Sequence, residues 1–183
     1  MQKQTPIAVA ILVYDRVKHF KQCLQALSSC VGADQADVYI FLDIPTTKNK
    51  WYITEQIELL AKKMTGFNSL SVLRSSVNLG ASGNSQRLLS YMRKFEKFLV
   101  LEDDVIVHPK FLDVMNRLFV CAKNNTAITS VGAFSAQTNN NTNSIYLSSY
   151  FNGYGCGFWS DSPLLNYLLT VHDPYDEMVR QGL

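Results

Sequence analysis

Along this chain, continuous apolar runs alternate with longer stretches whose apolar positions recur every three or four residues. That is the pattern of buried strands joined by crossover helices in a parallel sheet. The runs at 7–14 (IAVAILVY), 37–43 (DVYIFLD), 70–74 (LSVLR), 97–103 (KFLVLED) and 127–134 (AITSVGAF) predict five central strands buried on both faces. Between them, 17–29 sets Phe20, Leu24 and Leu27 on one helical face, and 51–64 does the same with Ile53, Ile57, Leu60, Ala61 and Met64. Residues 82–95 carry Leu88, Leu89, Met92 and Phe95 at helical spacing, and Pro109 suits the first turn of a helix running to about Lys123. The expected order is β-α-β-α-β-α-β-α-β. After Phe134 the pattern stops. Residues 137–144 are almost wholly Asn and Thr and read as a surface loop, and SIYLSSY (144–150) reads as a short strand. In FNGYGCGFWSD (151–161) glycines alternate with aromatics, which predicts a backbone bent tightly around something, and a last helix is expected near Ser162 and Pro163.

Composition narrows the class. At 183 residues the chain can build one sizeable core, and 47% apolar against 17% charged residues excludes disorder as the main state. Seventeen Lys and Arg against fifteen Asp and Glu leave +2, so no whole-molecule field draws it to nucleic acid. No window approaches eighteen consecutive apolar residues, so no transmembrane segment is expected, and MQKQTP lacks the features of a secretory signal. Cysteines 23, 30, 121 and 156 form no CxxC and no ligand spacing with histidines 19, 108 and 172. Reduced thiols in a cytoplasmic protein are the expectation.

In an open parallel sheet, ligands bind where the carboxyl ends of the strands gather. Three strand ends here carry polar residues: Asp15-Arg16, Asp43, and Glu102-Asp103-Asp104. Three adjacent carboxylates closing a buried strand repel one another and lose hydration unless a cation or hydrogen-bond donors offset them. A divalent metal is the simplest offset, and Mg²⁺ or Mn²⁺ needs only one or two protein oxygens beside waters and phosphates. Strand alternation predicts Glu102 and Asp104 on one side and Asp103 on the other. The plainer alternative is a solvated acidic turn before the helix after Pro109. The glycine signatures of dinucleotide and P-loop sites, GxGxxG after the first strand and GxxxxGK[ST], are absent. NLGASGNSQRLL (78–89) does set glycines before a helix, whose N–H groups can approach an anion.

Together, VYDR (13–16), FLD (41–43), NLGASGNSQRLL and FLVLEDDVIVHPKFLDVM (98–115) resemble the GT-A glycosyltransferases. The likeness is strongest to bacterial family-two-like enzymes and to the N-acetylglucosaminyltransferase group with an EDD metal motif. It covers about 6–120 well and 145–180 loosely. It implies a Rossmann-like, mostly parallel sheet flanked by helices in a single domain. Residues 1–134 would form the nucleotide-sugar part, and 135–183 an acceptor-side part shorter than the family's. By resemblance, Val13, Tyr14 and Arg16 contact the nucleotide base and Asp43 receives the base's N–H. Asn78 and Gly80 shape the pocket near ribose and phosphate. Glu102 and Asp103 contact the sugar nucleotide, and Asp104 binds Mn²⁺ or Mg²⁺. The aromatic-glycine segment resembles the acceptor-side loop, with a core-packed turn as the alternative for Phe158 and Trp159. PYDEMVRQG (174–182) is similar to the stretch that carries the base of inverting enzymes, which makes Asp176 the first candidate for general base, Glu177 its neighbour and Asp161 a fallback.

The activity so implied is transfer of a hexosyl or N-acetylhexosaminyl group from a nucleotide-diphosphate donor, UDP by default, to an acceptor hydroxyl with inversion, in polysaccharide biosynthesis. The acceptor would be a glycan or a lipid-linked sugar, the latter allowing peripheral membrane contact. Two rivals stand beside it: a sugar nucleotidyltransferase, which shares the sheet and an acidic metal site, and a nucleotide-sugar-binding domain without turnover.

Overall fold

The computed structural model describes residues 6–134 and 145–171. Its elements run β1 (Ile7–Val13), α1 (Val17–Ser28), β2 (Ala36–Leu42), α2 (Trp51–Lys63), β3 (Ser69–Arg74), α3 (Gly80–Met92), β4 (Lys97–Glu102), α4 (Phe111–Ala122), β5 (Val131–Gly132), β6 (Cys156–Trp159) and α5 (Pro163–Thr170). They form one sheet of order β3-β2-β1-β4-β6-β5, parallel from β3 to β4 and antiparallel at β6 and β5. This is a single α/β domain with a mostly parallel sheet flanked by helices.

Alternation along each strand divides the core between two faces. Val9, Ile11, Val38, Ile40, Leu99 and Leu101 pack with Phe20, Leu24 and Leu27 of α1, Ile57 of α2, and Met115 and Phe119 of α4. Ala8, Ala10, Phe41, Phe98 and Val100 pack with Leu88 and Met92 of α3 and Leu165 of α5 on the other face. Because both faces are covered, the strands need apolar residues at every position, which is why they read as unbroken apolar runs.

The antiparallel side departs from expectation. The predicted strand 127–134 shrinks to Val131–Gly132 at the sheet edge, and residues 145–150 of the predicted strand 144–150 adopt no regular structure. The strand between β4 and β5 comes instead from CGFW. Its glycine is set by the core: a Cβ at Gly157 would lie 2.6 Å from Phe119 and 2.7 Å from Leu99. Phe158 is buried beside Phe98 and Phe151, and Trp159 stands edge-on to Phe119 at 5.0 Å. For these two rings the core-packed alternative is the correct one. In α5 the Ser162 hydroxyl accepts from the Leu165 N–H and Pro163 opens the first turn, as the sequence led one to expect. Among the described residues no helix is long and apolar enough to cross a membrane.

Candidate active site

The strand order turns back on itself at β1, whose neighbours β2 and β4 lead to crossovers in opposite directions, so a crevice opens beyond its carboxyl end. A cavity of about 480 Å³ lies there, of the size that takes a small organic ligand. Val13, Tyr14, Arg16, Asp43, Asn78, Gly80, Glu102 and Asp103, which come from four separate segments of the sequence, all line it. Leu12, Ala81, Asn84 and Ser85 complete the wall. Those four were not singled out from sequence, although three sit inside NLGASGNSQRLL. Asn84 had a usable signal as a polar residue on a packed helix. It is buried, and its amide donates to the Phe41 carbonyl at 2.9 Å, pinning α3 to the end of β2.

Asp43 is the most heavily engaged residue of the site, at 3% exposure. Its Oδ1 accepts from the Ser75 hydroxyl at 2.8 Å and from the N–H groups of Ile44 and Leu79, each at 3.0 Å. Its Oδ2 accepts from Gly80 N–H at 2.9 Å, from Leu79 N–H at 3.1 Å and, at 3.4 Å, from Asn78 Nδ2. A carboxylate offers about four lone-pair directions, and protein donors take them here. The negative charge also sits at the amino end of α3, where the helix dipole favours it. Gly80 supplies the backbone that lets the chain turn into that helix, with φ of +70°. In this state Asp43 holds the cavity wall together, and a base N–H would have to displace a protein donor to reach it.

At the end of β4 the alternation predicted for the three acids fails after Glu102, because the strand stops there and Asp103-Asp104 form a turn. Asp103 and Asp104 therefore face the same partner. One terminal nitrogen of Arg16 bonds Asp103 Oδ1 and the other Asp104 Oδ2, the latter at 2.7 Å. Asp103 is 2% exposed, Asp104 37% and Arg16 46%. Burial raises the Asp103 carboxyl above the ordinary carboxylate range, while Arg16 and a backbone hydrogen bond from Tyr14 pull it back. Burial, then the Asp104 charge, raises Glu102 as well. Arg16 is raised in turn, chiefly by its hydrogen bond to Asp103.

The resemblance puts a divalent cation at Asp104, and the donor chemistry suits one. Two carboxylates grip one guanidinium and Glu102 adds its charge nearby, so negative charge is left over, and the groups offered are all hard oxygens. Among the described residues no three ligating side chains converge. A cation held here by Asp103 and Asp104 would take most of its shell from phosphate oxygens and water.

Other candidates lie apart. Asp161 is exposed, and the antiparallel run of β6 carries it toward the start of β4, where Ser160 N–H donates to the Glu96 carbonyl. That is the opposite end of the strand, roughly 16 Å away at the usual rise per residue, so the fallback base does not reach the cavity. His108 is exposed and accepts from the Lys110 N–H at 3.2 Å, shaping the turn before α4. Cys23, beside the acidic turn, is buried and its thiol is pushed up to about 12, so it is unreactive. Asp176 and Glu177 lie outside the described residues.

No family model matches the chain, and no curated protein matches it. Solved structures do. The galactosyltransferase LgtC, in complex with donor and acceptor sugar analogs, superposes over 96% of this chain and 64% of its own, with a TM-score of 0.54 at 11% identity. The fold is GT-A. A GT-A core also relates the chain to the glycosyltransferase GlyE of Streptococcus pneumoniae, over 98% of this chain and 40% of that one, with a TM-score of 0.52 at 12% identity. A cytidylyltransferase from Leptospira borgpetersenii matches over 94% of this chain and 68% of that one, with a TM-score of 0.57 at 17% identity. The chain spans 20% of the length of S. aureus TarS and 33% of its 1–349 segment, which has been solved with UDP and with UDP-GlcNAc. Fold likeness at these identities leaves the chemistry to be argued from the site.

Proposed function

We propose that this chain carries the donor site of a glycosyltransferase, and that its cavity binds a nucleotide-diphosphate sugar, with UDP as the first nucleotide to test. The observation that supports this most directly is the convergence of the β1 loop, Asp43, the start of α3 with Asn78, and Glu102–Asp103 on one cavity at the switch point of the sheet. Val13, Tyr14 and Asn78 would contact the nucleoside. The amino end of α3 and Arg16 supply positive potential for the diphosphate. Asp104, with Asp103, would hold Mn²⁺ or Mg²⁺, which when bound neutralises charge on the departing diphosphate. Transfer to an acceptor hydroxyl of a glycan or lipid-linked sugar, with inversion, would use a carboxylate base, and Asp176, followed by Glu177, remains the proposal for it.

The test is isothermal titration of UDP and UDP-sugars with and without Mn²⁺. Binding that needs the cation and falls at least tenfold in Asp104→Ala supports the reading, whereas UDP binding that is equally tight in EDTA and in Asp104→Ala overturns the cation's part in it. A second reading, a sugar nucleotidyltransferase, is favoured by the cytidylyltransferase likeness, which covers 94% of this chain. CTP bound in preference to UDP and UDP-sugars would select it. For the base, Asp176→Asn should keep donor binding and lose transfer, and unchanged transfer would remove the assignment.

A further inference from the structure

Arg16 does at the acidic turn what the cation is expected to do. It reaches back from the loop after β1, 87 and 88 residues away in sequence, to grip Asp103 and Asp104 with its two terminal nitrogens. It also lines the cavity and its side chain is 46% exposed. The two grips differ. Asp103 is almost fully buried, and a buried carboxylate without a partner is costly. The Asp104 grip lies at the surface, where such pairs contribute little and break easily. A divalent ion brings twice the charge of a guanidinium to the same oxygens, and one that takes them leaves the arginine beside the cavity without its carboxylates.

We propose that Arg16 and a divalent cation exchange at the Asp103–Asp104 pair: the guanidinium closes the pair when no cation is bound, and the cation releases it to meet the diphosphate of the nucleotide. The inference rests on the nucleotide-diphosphate reading of the cavity and adds a coupling to it. Released Arg16 is a fork of donors matched to phosphate oxygens. Cation and diphosphate thus favour each other, and the coupling is reciprocal. Removing Arg16 then has opposite effects on the two ligands. A cation alone binds more tightly because its competitor is gone, and the diphosphate binds less tightly because its partner is gone. Loss of structure at the site would weaken both.

The experiment titrates Mn²⁺ alone, followed by the EPR signal of the free ion, into the full chain and into Arg16→Gln and Arg16→Lys, and then UDP at saturating Mn²⁺. Thermal melts check that each variant is folded. Arg16→Gln should bind Mn²⁺ roughly fivefold more tightly than wild type, the value of one exposed ion pair. It should bind UDP in Mn²⁺ roughly tenfold more weakly, the value of one charged hydrogen bond. Lysine keeps the charge but cannot span both carboxylates, so Arg16→Lys should also bind Mn²⁺ more tightly while keeping part of the UDP affinity, and it carries the test if the glutamine variant does not fold. As a direct readout, the side-chain ¹⁵N signals of Arg16 should move from a restrained to an averaged state as Mg²⁺ is added. Mn²⁺ affinity unchanged or weakened in folded variants overturns the exchange and leaves the cation's role in UDP binding standing. If wild type and variants all ignore Mn²⁺ with UDP present, the cation reading falls and the exchange with it.

Discussion

Both ends of β4 carry charge, and they use it differently. At the carboxyl end Asp103 and Asp104 share Arg16 beneath the walls built by β1, β2 and α3, with Asp103 almost wholly out of water. At the amino end Glu96 and Lys123 pair at 2.9 Å with both side chains about two-thirds exposed. Lys97, beside them, holds its ammonium over the Phe119 ring, 5.4 Å from the centroid, and donates to Asn116 Oδ1 at 3.1 Å. The difference lies in the neighbours. Parallel strands gather loops at their carboxyl ends, so carboxylates there are walled in and their charge must be matched. At the amino end, the antiparallel β6 lies alongside and leaves the charges to solvent. Charge at the carboxyl end should therefore matter to ligand and fold together, and charge at the amino end to neither very much.

The strongest way to break the carboxyl end is Asp43→Ala. It would leave the half-buried N–H groups of Leu79 and Gly80 without their acceptor and the Ile44 N–H with only the Ser75 hydroxyl, and each lost acceptor costs about 1–3 kcal/mol. With partial rescue by water, the net loss should be about 2–4 kcal/mol in urea unfolding. Asp43→Asn keeps an acceptor oxygen and should lose less than half of that. Equal stability in Asp43→Ala and wild type would mean that the network at the start of α3 does not carry the wall.

Next comes the element that separates the two ends. Gly157→Ala would drive a methyl group into Phe119 and Leu99 at 2.6 and 2.7 Å, overpacking that typically costs about 1–3 kcal/mol. Because the cavity draws nothing from β6, nucleotide affinity of the folded variant should match wild type. Coupled loss of stability and affinity would show that the ends are not independent.

What sequence could and could not reveal follows the same division. The parallel half was legible because strands covered on both faces must be apolar at every position, and their polar terminators, Asp43 and Glu102–Asp104, stand out against them. The antiparallel addition was not. Cys156–Trp159 looks like a loop because of Gly157, and that glycine answers to Phe119 and Leu99, which are remote in sequence. Conversely, Ala127–Phe134 looked like a strand from its apolar residues, yet at the sheet edge only Val131 and Gly132 find a partner. At the site, sequence named eight wall residues but not the clasp between Arg16 and the acids, because the pairing across 87 residues leaves no local pattern.

At the amino end the effects should be small. Lys123→Ala removes an exposed, salt-screened pair and should leave the unfolding midpoint in urea almost where it is in wild type, at low and at high salt. A larger, salt-independent loss would mean that this end is also walled in.

The smallest expected effect tests the comparison by its sign with pH. Burial lowers the Lys97 ammonium below its ordinary 10.5, with Glu96 pulling it back up. The folded state thus sheds this proton more readily than the unfolded one, and stability attributable to Lys97 is constant while both states are charged and rises as pH climbs from the lowered folded value toward 10.5. Replacing it with methionine keeps a side chain of similar length and removes the desolvation cost. Lys97→Met should therefore equal or exceed wild type at pH 7, by less than about 1 kcal/mol given how much of the group is in water. Its advantage should shrink between pH 7 and pH 10 as wild type discharges. An advantage that instead grows with pH would mean that the ammonium is stabilised by its partners rather than penalised by burial, and the two ends of β4 would then treat charge alike.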